Sequence, residues 1–209
     1  MARPSASAQR PVPRKTARRR RADPAREEQL LTQIEEIFLA EGFTSVTVDD
    51  LARRLRCSKA TLYRVARTKE QLVIAATKHF FRTAADSIEA SLADTESASE
   101  RITKYLNGVA DAMRRNSPAF YDDMVAYPPT ADIYARNAGT AAERVREMIA
   151  EGIESGEFRS TDGVFAAQLV ALAIDSVQSG ALLERTGLSA AEAFAELEDL
   201  LLHGLLRRE

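Results

Sequence analysis

"LARRLRCSKATLYRVARTK", residues 51–69, holds seven Lys or Arg side chains and no acidic one, although the whole chain of 209 residues has a formal net charge of −2. Two short helices are predicted around this stretch, joined by a turn of three or four residues that ends at Cys57. Thr47 and Asp50 form a capping box before the first helix, and Ser58 is a favourable N-cap for the second. This pattern predicts a helix-turn-helix, a motif whose second helix enters the major groove of DNA.

The side chains of the second helix suit contacts with DNA. Lys59 and Arg64 are long enough to reach guanine acceptors or phosphates, and Thr61 and Tyr63 offer hydroxyl groups to phosphates. Ala60 is small enough to let the helix approach the bases. A merely solvated charged face is the alternative, but it explains neither the missing acidic residues nor the caps that flank the stretch.

Charge is distributed unevenly along the chain. Residues 1–26 hold nine Lys or Arg and one acidic residue, whereas the other 183 residues hold 20 basic and 30 acidic ones. This asymmetry indicates a polyanion bound at one end of the molecule. Residues 1–22 lack the apolar side chains of a core, so we expect a disordered basic arm. The arm adds attraction for phosphates or serves as a solubilising extension, and an organelle transit peptide is a third interpretation.

Composition and motifs argue against several classes of protein. Cys57 is the only cysteine, so the chain cannot form an internal disulfide. His79 and His203 lack the spacing of metal ligands, and we expect no metal and no cofactor. No apolar run reaches about 18 residues, the length needed to span a bilayer. The chain also lacks a Gly-rich phosphate loop and a nucleophile signature, so we expect a soluble protein that is not an enzyme.

Apolar residues at helical spacing, separated by Pro, Gly and capping residues, predict an all-α protein with about nine helices. The first helix begins at Pro24 and ends before Gly42, two short helices follow, and a longer one runs from Lys69 to about Leu92. The later helices are predicted at about 98–115, 118–127, 130–155, 162–185 and 189–207. The predicted core of the N-terminal unit consists of Ile34, Phe38, Leu51, Leu55, Leu62 and Leu72.

The last two predicted helices have apolar residues on two sides. We therefore expect them to form a homodimer interface, in a four-helix arrangement with the same helices of a second copy. Complete burial within one subunit is the alternative. The predicted interface residues are Leu169, Ile174, Val177, Phe194, Leu197, Leu201 and Leu205.

Large, adaptable side chains between residues 105 and 134 are candidates for the lining of a ligand pocket. An aromatic and Met lining suits a flat or flexible apolar ligand, and an ordinary packed core is the alternative. Asn107, Asp175 and Gln178 are the polar groups expected to reach such a pocket. The candidate lining set is Tyr105, Met113, Phe120, Tyr121, Met124, Tyr127, Tyr134, Asp175 and Gln178.

Residues 25–75 resemble the DNA-binding domain of the tetracycline-repressor (TetR) family of bacterial transcriptional regulators. The resemblance rests on Gly42-Phe43 at the end of the first helix, Thr47 at the start of the second, Ser58-Lys59 before Thr61-Leu62-Tyr63, and Lys69-Glu70 at the start of the fourth. Beyond residue 90 the resemblance is limited to the general arrangement of the helices. It consists of a variable helical body, a turn with the sequence GEFR at residues 156–159, and two long final helices.

The resemblance implies a sequence-specific transcriptional regulator in the bacterial cytoplasm. We expect a ligand-responsive repressor that binds a pseudo-palindromic operator as a homodimer, and whose small-molecule effector changes the spacing of the two recognition helices. The expected organisation is a basic arm at 1–22, a helix-turn-helix domain at 23–72, and a body for ligand binding and dimerisation at 73–209. The expected DNA contacts are Thr47, Ser58, Lys59, Ala60, Thr61, Tyr63, Arg64, Arg67 and Lys69. The alternative is an architectural protein that binds DNA without sequence preference through its basic arm.

Three features of the motif depart from the family pattern or need comment. Val65-Ala66 replace a polar residue and an aromatic one, so a phosphate contact is lost, and Arg67 is the candidate to replace it. Arg56 stands where the family favours Gly, which predicts a left-handed residue with strain of about 1 kcal/mol. Cys57 is expected to be a small buried hydrophobic residue, and an oxidation sensor in the turn is the alternative.

Overall fold

The protein is described by a computed structural model that covers residues 24–159 and 162–205, and these residues form ten α-helices. The basic arm predicted at residues 1–22 and the last residues of the final helix lie outside the described residues. No helix in the described ranges is long and apolar enough to cross a membrane. The helices are α1 (Pro24–Glu41), α2 (Val48–Arg54), α3 (Lys59–Val65), α4 (Lys69–Leu92), α5 (Ala98–Arg114), α6 (Pro118–Ala126), α7 (Pro128–Glu154), α8 (Gly163–Gln178), α9 (Ala181–Thr186) and α10 (Ala190–Leu205).

Side-chain caps set the starts of the short helices near the N-terminus. The Asp50 N–H donates to Thr47 Oγ1 and the Thr47 N–H donates to Asp50 Oδ2, both at 3.1 Å, so the predicted capping box is present. The Thr61 N–H donates to Ser58 Oγ at 3.2 Å, and Thr68 caps α4 in the same way. Each cap satisfies a donor that has no partner within its own helix. Local sequence therefore fixes the turns between α2, α3 and α4.

The first four helices enclose a compact core. Five of its six predicted members are buried, and they are Ile34, Phe38, Leu51, Leu62 and Leu72. Leu55 is only half-buried, because it is the C-cap residue of α2 and packs at the edge of this core. α4 continues without a break across the boundary predicted after residue 72. The N-terminal unit is thus joined to the body by a continuous helix.

The body is a bundle in which α7 packs on α6 and α8, while α5 packs on α4, α7 and α10. Aromatic rings fill the space where the N-terminal unit meets the body. The ring of Phe43 lies edge-on to Phe38, Phe120 and Tyr127, with centroids 6.1 to 6.2 Å apart. Each such pair contributes about 0.5–1.5 kcal/mol beyond the burial of its surface. The two parts of the chain therefore share one continuous apolar core.

Two helix boundaries differ from the predicted ones. The helix predicted at 162–185 is interrupted at Gly180, whose φ of +78° lies in the left-handed region that ends helices and favours glycine. α7 begins at Pro128 rather than near residue 130, because a proline in the first turn lacks only an N–H that would have no helical partner. The interruption at Gly180 accounts for ten helices in the described ranges instead of about nine.

Glu157, in the GEFR turn after α7, caps the N-terminus of α5. Its carboxylate accepts hydrogen bonds from Ser97 Oγ at 2.7 Å, from the Ala98 N–H at 2.8 Å and from the Ser99 N–H at 2.9 Å. Desolvation on its own would raise the pKa of Glu157. These hydrogen bonds, together with one from the Ser99 hydroxyl, outweigh it and lower the pKa to about 2.

The next two residues of the turn attach it to α7 and α10. Phe158 is buried against Gly152, where an added Cβ would come within 2.4 Å of the ring. Arg159 Nε donates to the Gly204 carbonyl at 2.7 Å, near the end of α10. The GEFR turn therefore contacts α5 through the Glu157 carboxylate, α7 through the Phe158 ring and α10 through the Arg159 guanidinium group.

We predict that Glu157 makes the stability of the protein sensitive to acid. Because its folded pKa of about 2 lies below the ordinary value of 4.5, the carboxylate stabilises the fold above pH 4.5, and this contribution is lost as the pH falls towards 2. Glu157→Gln should lower the free energy of unfolding at neutral pH by about 1–2 kcal/mol. It should also flatten the decrease of that free energy below about pH 5, measured by urea denaturation.

Glu154→Gln, at the exposed end of α7, is the matched control and should keep the acid dependence of the wild type. The same acid dependence in the Glu157 variant and the wild type would contradict the assigned role.

Candidate DNA-binding surface and effector cavity

α3 presents most of its predicted contact residues to solvent. Lys59, Ala60, Tyr63 and Arg64 are exposed, and they form two adjacent rows on α3, because Lys59 and Tyr63, and likewise Ala60 and Arg64, are four residues apart. Tyr63 is 42% exposed although it is large and mostly apolar. Leu62 points the other way and is completely buried, which anchors the helix on the core. The exposed face is the part of the motif that can enter a DNA groove.

Two residues of this motif already have partners within the protein. Lys59 Nζ lies 2.7 Å from Asp49 Oδ1, and its hydrogen bond to Asp49 raises the pKa of Lys59. Exposed ion pairs of this kind contribute little to stability, so a DNA phosphate can compete for the lysine. Thr61 Oγ1 lies 2.9 Å from Ser58 Oγ, so both hydroxyls belong to the cap of α3.

The flanking contact residues also have structural roles. The Thr47 side chain is exposed but belongs to the capping box of α2. Lys69 Nζ donates to the Thr44 carbonyl at 3.1 Å, so it joins the start of α4 to the loop before α2. The sequence reasoning missed this second role of Lys69. The Arg67 side chain is exposed beyond the end of α3.

The turn between α2 and α3 contains the two unusual residues noted in the sequence. Arg56 has a φ of +47° and is the only non-glycine residue with a positive φ in the described ranges, which agrees with the left-handed conformation predicted for it. Cys57 is half-buried and packs against the core, and this burial raises the pKa of its thiol. Because the reactive form of cysteine is the thiolate, the raised pKa favours a packing role over oxidation sensing.

Asp123, on α6, holds the loop that leads into α2. Its Oδ2 accepts hydrogen bonds from the Phe43 N–H at 2.7 Å and from the Thr44 N–H at 2.8 Å. Gly42 has a φ of +76°, and an added Cβ there would lie 2.6 Å from the same carboxylate oxygen. Glycine therefore allows the loop to approach the carboxylate. Sequence reasoning missed Asp123 because only the tertiary structure brings it to this loop.

A buried ionic cluster joins α1 to α4 and to the end of α5. Glu35, 2% exposed, lies within hydrogen-bond distance of His79 Nδ1, and Arg115 Nη2 donates to its other oxygen at 2.7 Å. His79 Nε2 lies 3.0 Å from Glu28 Oε1, to which Arg82 also donates. Nothing in the sequence pattern around His79 indicated this cluster.

A small cavity of about 80 Å³ lies between α4, α5, α7 and α10. Its lining includes the rings of Phe80, Phe81 and Phe194, and it contains no charged residue. Desolvation raises the pKa of Tyr105 to about 12 and also raises the pKa of Tyr134, so both phenols of the lining stay neutral. Tyr134 Oη is buried and has no hydrogen-bond partner in the described part of the chain. An unpaired buried hydroxyl costs about 1–3 kcal/mol.

The predicted ligand residues do not all lie at one place in the structure. Only three of its nine residues, Tyr105, Met113 and Tyr134, line this cavity. Phe120 and Met124 are completely buried in the core of the body, where they leave no surface for a ligand.

The other predicted pocket residues lie at different places in the body. Tyr121 Oη donates to the Val177 carbonyl at 3.2 Å, and Tyr127 packs at the junction with the N-terminal unit. Asp175 and Gln178 line a separate groove of about 450 Å³ between α7 and α8. Asn107 lines another groove, between α4 and α5. Helical spacing alone did not show which of these side chains face a common space.

The predicted dimer residues also divide into groups. Ile174, Val177, Phe194 and Leu205 are buried inside the subunit. Leu197 and Leu201 are half-buried, and Leu169 is 56% exposed. The large apolar side chains that remain exposed on α8 and α10 are Val164, Phe165, Leu169, Leu172 and Leu200. The prediction of two apolar sides on these helices did not distinguish the side that faces the body from the side that faces solvent.

Residues 30–76, which include all of α2 and α3, match the sequence profile of the bacterial regulatory proteins of the tetR family. This chain carries a tetR-family DNA-binding domain. The match covers 47 of the 209 residues, so it assigns the helix-turn-helix segment, and the helical body lies outside it. No curated protein matches the chain significantly.

Solved structures of transcriptional regulators resemble the fold over most of the chain. A regulator from Saccharomonospora viridis in complex with choline is 20% identical with a TM-score of 0.68, over 89% of this chain and 100% of that one. A TetR/AcrR-family regulator from Thermobifida fusca is 24% identical with a TM-score of 0.61, over 88% and 100%. A regulator from Cytophaga hutchinsonii is 17% identical with a TM-score of 0.69, also over 88% and 100%. The all-α tetR architecture, with an N-terminal helix-turn-helix and a helical body, is confirmed.

We predict that Asp123→Ala loosens the DNA-binding helices from the body. The substitution removes the acceptor for two backbone N–H groups, so the free energy of unfolding should fall by about 1–3 kcal/mol in urea denaturation. Asp122→Ala removes the same charge from an exposed position on α6 and should stay within about 0.5 kcal/mol of the wild type. Equal effects of the two substitutions would show that Asp123 has no special role.

Proposed function

We propose that the protein is a ligand-responsive repressor that binds a pseudo-palindromic operator as a homodimer. The observation that carries this proposal is the exposed face of α3, on which Tyr63 and Arg64 are accessible to DNA. In this proposal residues 23–72 form the DNA-binding domain, and residues 73–209 form the body that binds the effector and the second subunit. The basic arm at 1–22 adds sequence-independent attraction for phosphates.

The proposed DNA contacts have two kinds of role. Side chains on the exposed face of α3 read base edges or fix the helix in the groove, and these are Lys59, Ala60, Tyr63 and Arg64. Hydroxyls and charges at the ends of the helices contact phosphates and set the orientation, and these are Thr47, Ser58, Thr61, Arg67 and Lys69. Lys59 exchanges Asp49 for DNA, because the exposed ion pair is weak.

The homodimer is supported by the exposed apolar face on α8 and α10. Phe165, Leu169 and Leu172 follow each other at helical spacing on α8 and are 56 to 67% exposed. Contiguous apolar patches on a protein surface mark interaction sites. In a two-fold symmetric dimer, this patch on one subunit contacts the same patch on the other. Each subunit then contributes one copy of α3 to the DNA. Half-sites about one turn of DNA apart, or somewhat more, follow from this symmetry.

The effector part of the proposal is supported by the cavity in the body and by one related structure. The regulator from Saccharomonospora viridis was solved with choline, and its likeness in fold supports a body that holds a small molecule in this protein too. In the proposal, binding in the body changes the spacing of the two copies of α3 and releases the operator.

We predict that the purified protein enriches an inverted repeat from a library of random DNA duplexes at near-physiological salt. A chain without residues 1–22 should enrich the same repeat with lower affinity, because the arm contributes only phosphate attraction. An architectural protein led by its arm would instead lose most of its affinity with the arm and enrich no sequence. The second outcome would replace the proposed function by the architectural one.

Two arginine variants then test the recognition face on the selected operator. Arg64→Ala should weaken binding about 10- to 100-fold, measured by fluorescence anisotropy with a labelled duplex. Arg136→Ala removes the same charge from an exposed position on α7 and is the matched control, expected to bind as the wild type does. Unchanged binding by the Arg64 variant would exclude this residue from the contact set.

We predict that Leu169→Glu converts the homodimer into monomers in sedimentation velocity and abolishes tight operator binding, because a charge in an apolar interface loses its hydration without a partner. Val125→Glu places the same charge on α6, at a side chain that is 38% exposed and lies off the proposed face. This control should remain a dimer. A dimeric Leu169 variant would place the interface elsewhere.

A further inference from the structure

We propose that Arg26 and Arg56 form a second cationic edge of the DNA-binding surface, which binds phosphates of the DNA strand that runs along the α1 side of α3. Neither residue is among the DNA contacts expected from the sequence. The inference rests on the proposed function, because it adds contacts to the same DNA-binding domain.

The two arginines line a groove of about 940 Å³ between α1 and the turn that joins α2 to α3. Thr61 and Arg64 of α3 line the same groove, so it opens directly beside the recognition helix. Its lining contains three arginines and one acidic residue, Glu27. Three positive charges against one negative charge favour a polyanion as the partner of this groove.

The groove adjoins one edge of the exposed face of α3. Because successive residues of a helix are rotated by about 100°, the order around α3 is Lys59, Tyr63, Ala60, Arg64 and then Thr61. Lys59 lies at one edge of the face, where its Nζ is 2.7 Å from Asp49 of α2. Arg64 lies at the other edge and belongs to both the exposed face and the groove. The groove therefore continues the recognition face on the side away from Asp49.

A helix in the major groove of DNA lies between two phosphate backbones. The major groove is about 12 Å wide, close to the diameter of about 10–12 Å of a helix with its side chains. Cations at each edge of the exposed face therefore meet a different strand. Thr47 caps α2 two residues before Asp49, and so lies on the Lys59 side. Arg26 and Arg56 lie on the opposite side and bind the other strand.

Both arginines are available to a phosphate. Their side chains are exposed, and neither pairs with a carboxylate in the part of the chain that the structure describes. Arg53 and Arg54, at the end of α2, differ in this respect because each pairs with a carboxylate. A guanidinium group keeps its charge at any physiological pH and can donate two parallel hydrogen bonds to a phosphate.

The backbone of Arg56 is an independent indication of function. Its φ of +47° lies in the left-handed region, where a Cβ is unfavourable and glycine is not. Strained backbone of this kind persists mainly at functional sites. A contact of the guanidinium group with DNA explains why a long cationic side chain occupies a position that suits glycine better.

The experiment measures how salt changes the affinity of the full-length protein for DNA. Fluorescence anisotropy at several salt concentrations gives the association constant for the selected operator and for a random duplex of the same length. Each phosphate contact contributes about −0.9 to the slope of the logarithm of this constant against the logarithm of salt concentration. Arg56→Gly removes one contact from each subunit of a homodimer, so the slope should become shallower by about 1.8. Affinity for the operator should fall about 10- to 50-fold.

The loss should be equal on the two duplexes, because phosphate contacts carry no sequence information. The ratio of the two affinities therefore stays at its wild-type value. Arg26→Ala should act in the same direction as Arg56→Gly, whereas Arg56→Lys keeps the charge and should keep the wild-type slope. Arg136→Ala, at an exposed position on α7, is the matched control and should change neither affinity nor slope.

A folding defect is excluded by the melting temperature. Because glycine suits the φ of Arg56, the Arg56→Gly variant should melt within about 3 °C of the wild type or above it. Three results would overturn the inference. They are an unchanged slope in Arg56→Gly, a loss of affinity confined to the operator, and a slope in Arg56→Lys as shallow as that in Arg56→Gly.

These failures are distinct from failure of the proposed function, because the salt titration on a random duplex needs no operator. A protein that enriches an inverted repeat but keeps its slope in Arg56→Gly retains the proposed function and loses this cationic edge. A protein that enriches no repeat but has a shallower slope in Arg56→Gly on the random duplex retains the edge and loses the proposed function.

Discussion

A buried carboxylate constrains how the DNA-binding helices are attached to the body. Glu35 is almost inaccessible to solvent, and a charged group in such a place costs several kcal/mol unless it is fully paired. Its two partners lie on different segments: His79 is on α4, and Arg115 directly follows α5. α1 can therefore keep this charge paired only while α4 and the end of α5 hold their present positions. The position of α1 in turn sets that of α3, which packs on both α1 and α2.

The same region connects this cluster to the cavity. Phe80 lines the cavity, its ring lies under the Arg115 guanidinium at 5.5 Å, and it packs edge-on against Phe120 at 6.3 Å. One side chain thus contacts the proposed ligand site, the ionic cluster and α6. α6 carries Asp123, which holds the loop into α2. A ligand that displaced Phe80 would act on both attachments of the DNA-binding helices, so the route from the body to α3 is short.

The sequence was most informative where structure depends on neighbouring residues. The capping box of Thr47 and the cap of Ser58 could be predicted because each involves residues only three apart. The left-handed conformation of Arg56 was expected from the family resemblance, because the family favours Gly at this position. Contacts between distant segments were not predictable, because a single carboxylate such as Asp123 looks the same in sequence whether it is solvated or caps a remote loop. For a related reason, the sequence did not show which side chains share the cavity or which side of α8 is exposed. Helical spacing shows that two sides are apolar, but only packing decides which side meets the body.

Contacts within the protein occupy several of the positive charges in the basic stretch. Seven Lys or Arg side chains occur in residues 51–69, but three of them pair with carboxylates of α1 and α2, and these are Arg53, Arg54 and Lys59. A fourth, Lys69, donates to a carbonyl. The remaining three, Arg56, Arg64 and Arg67, form no ion pair within the described ranges. The existing pairs are exposed and therefore weak, so phosphates can recruit their cations as DNA approaches. Arg64 needs no such exchange, because it has no carboxylate partner in the described ranges and lies on the exposed face of α3.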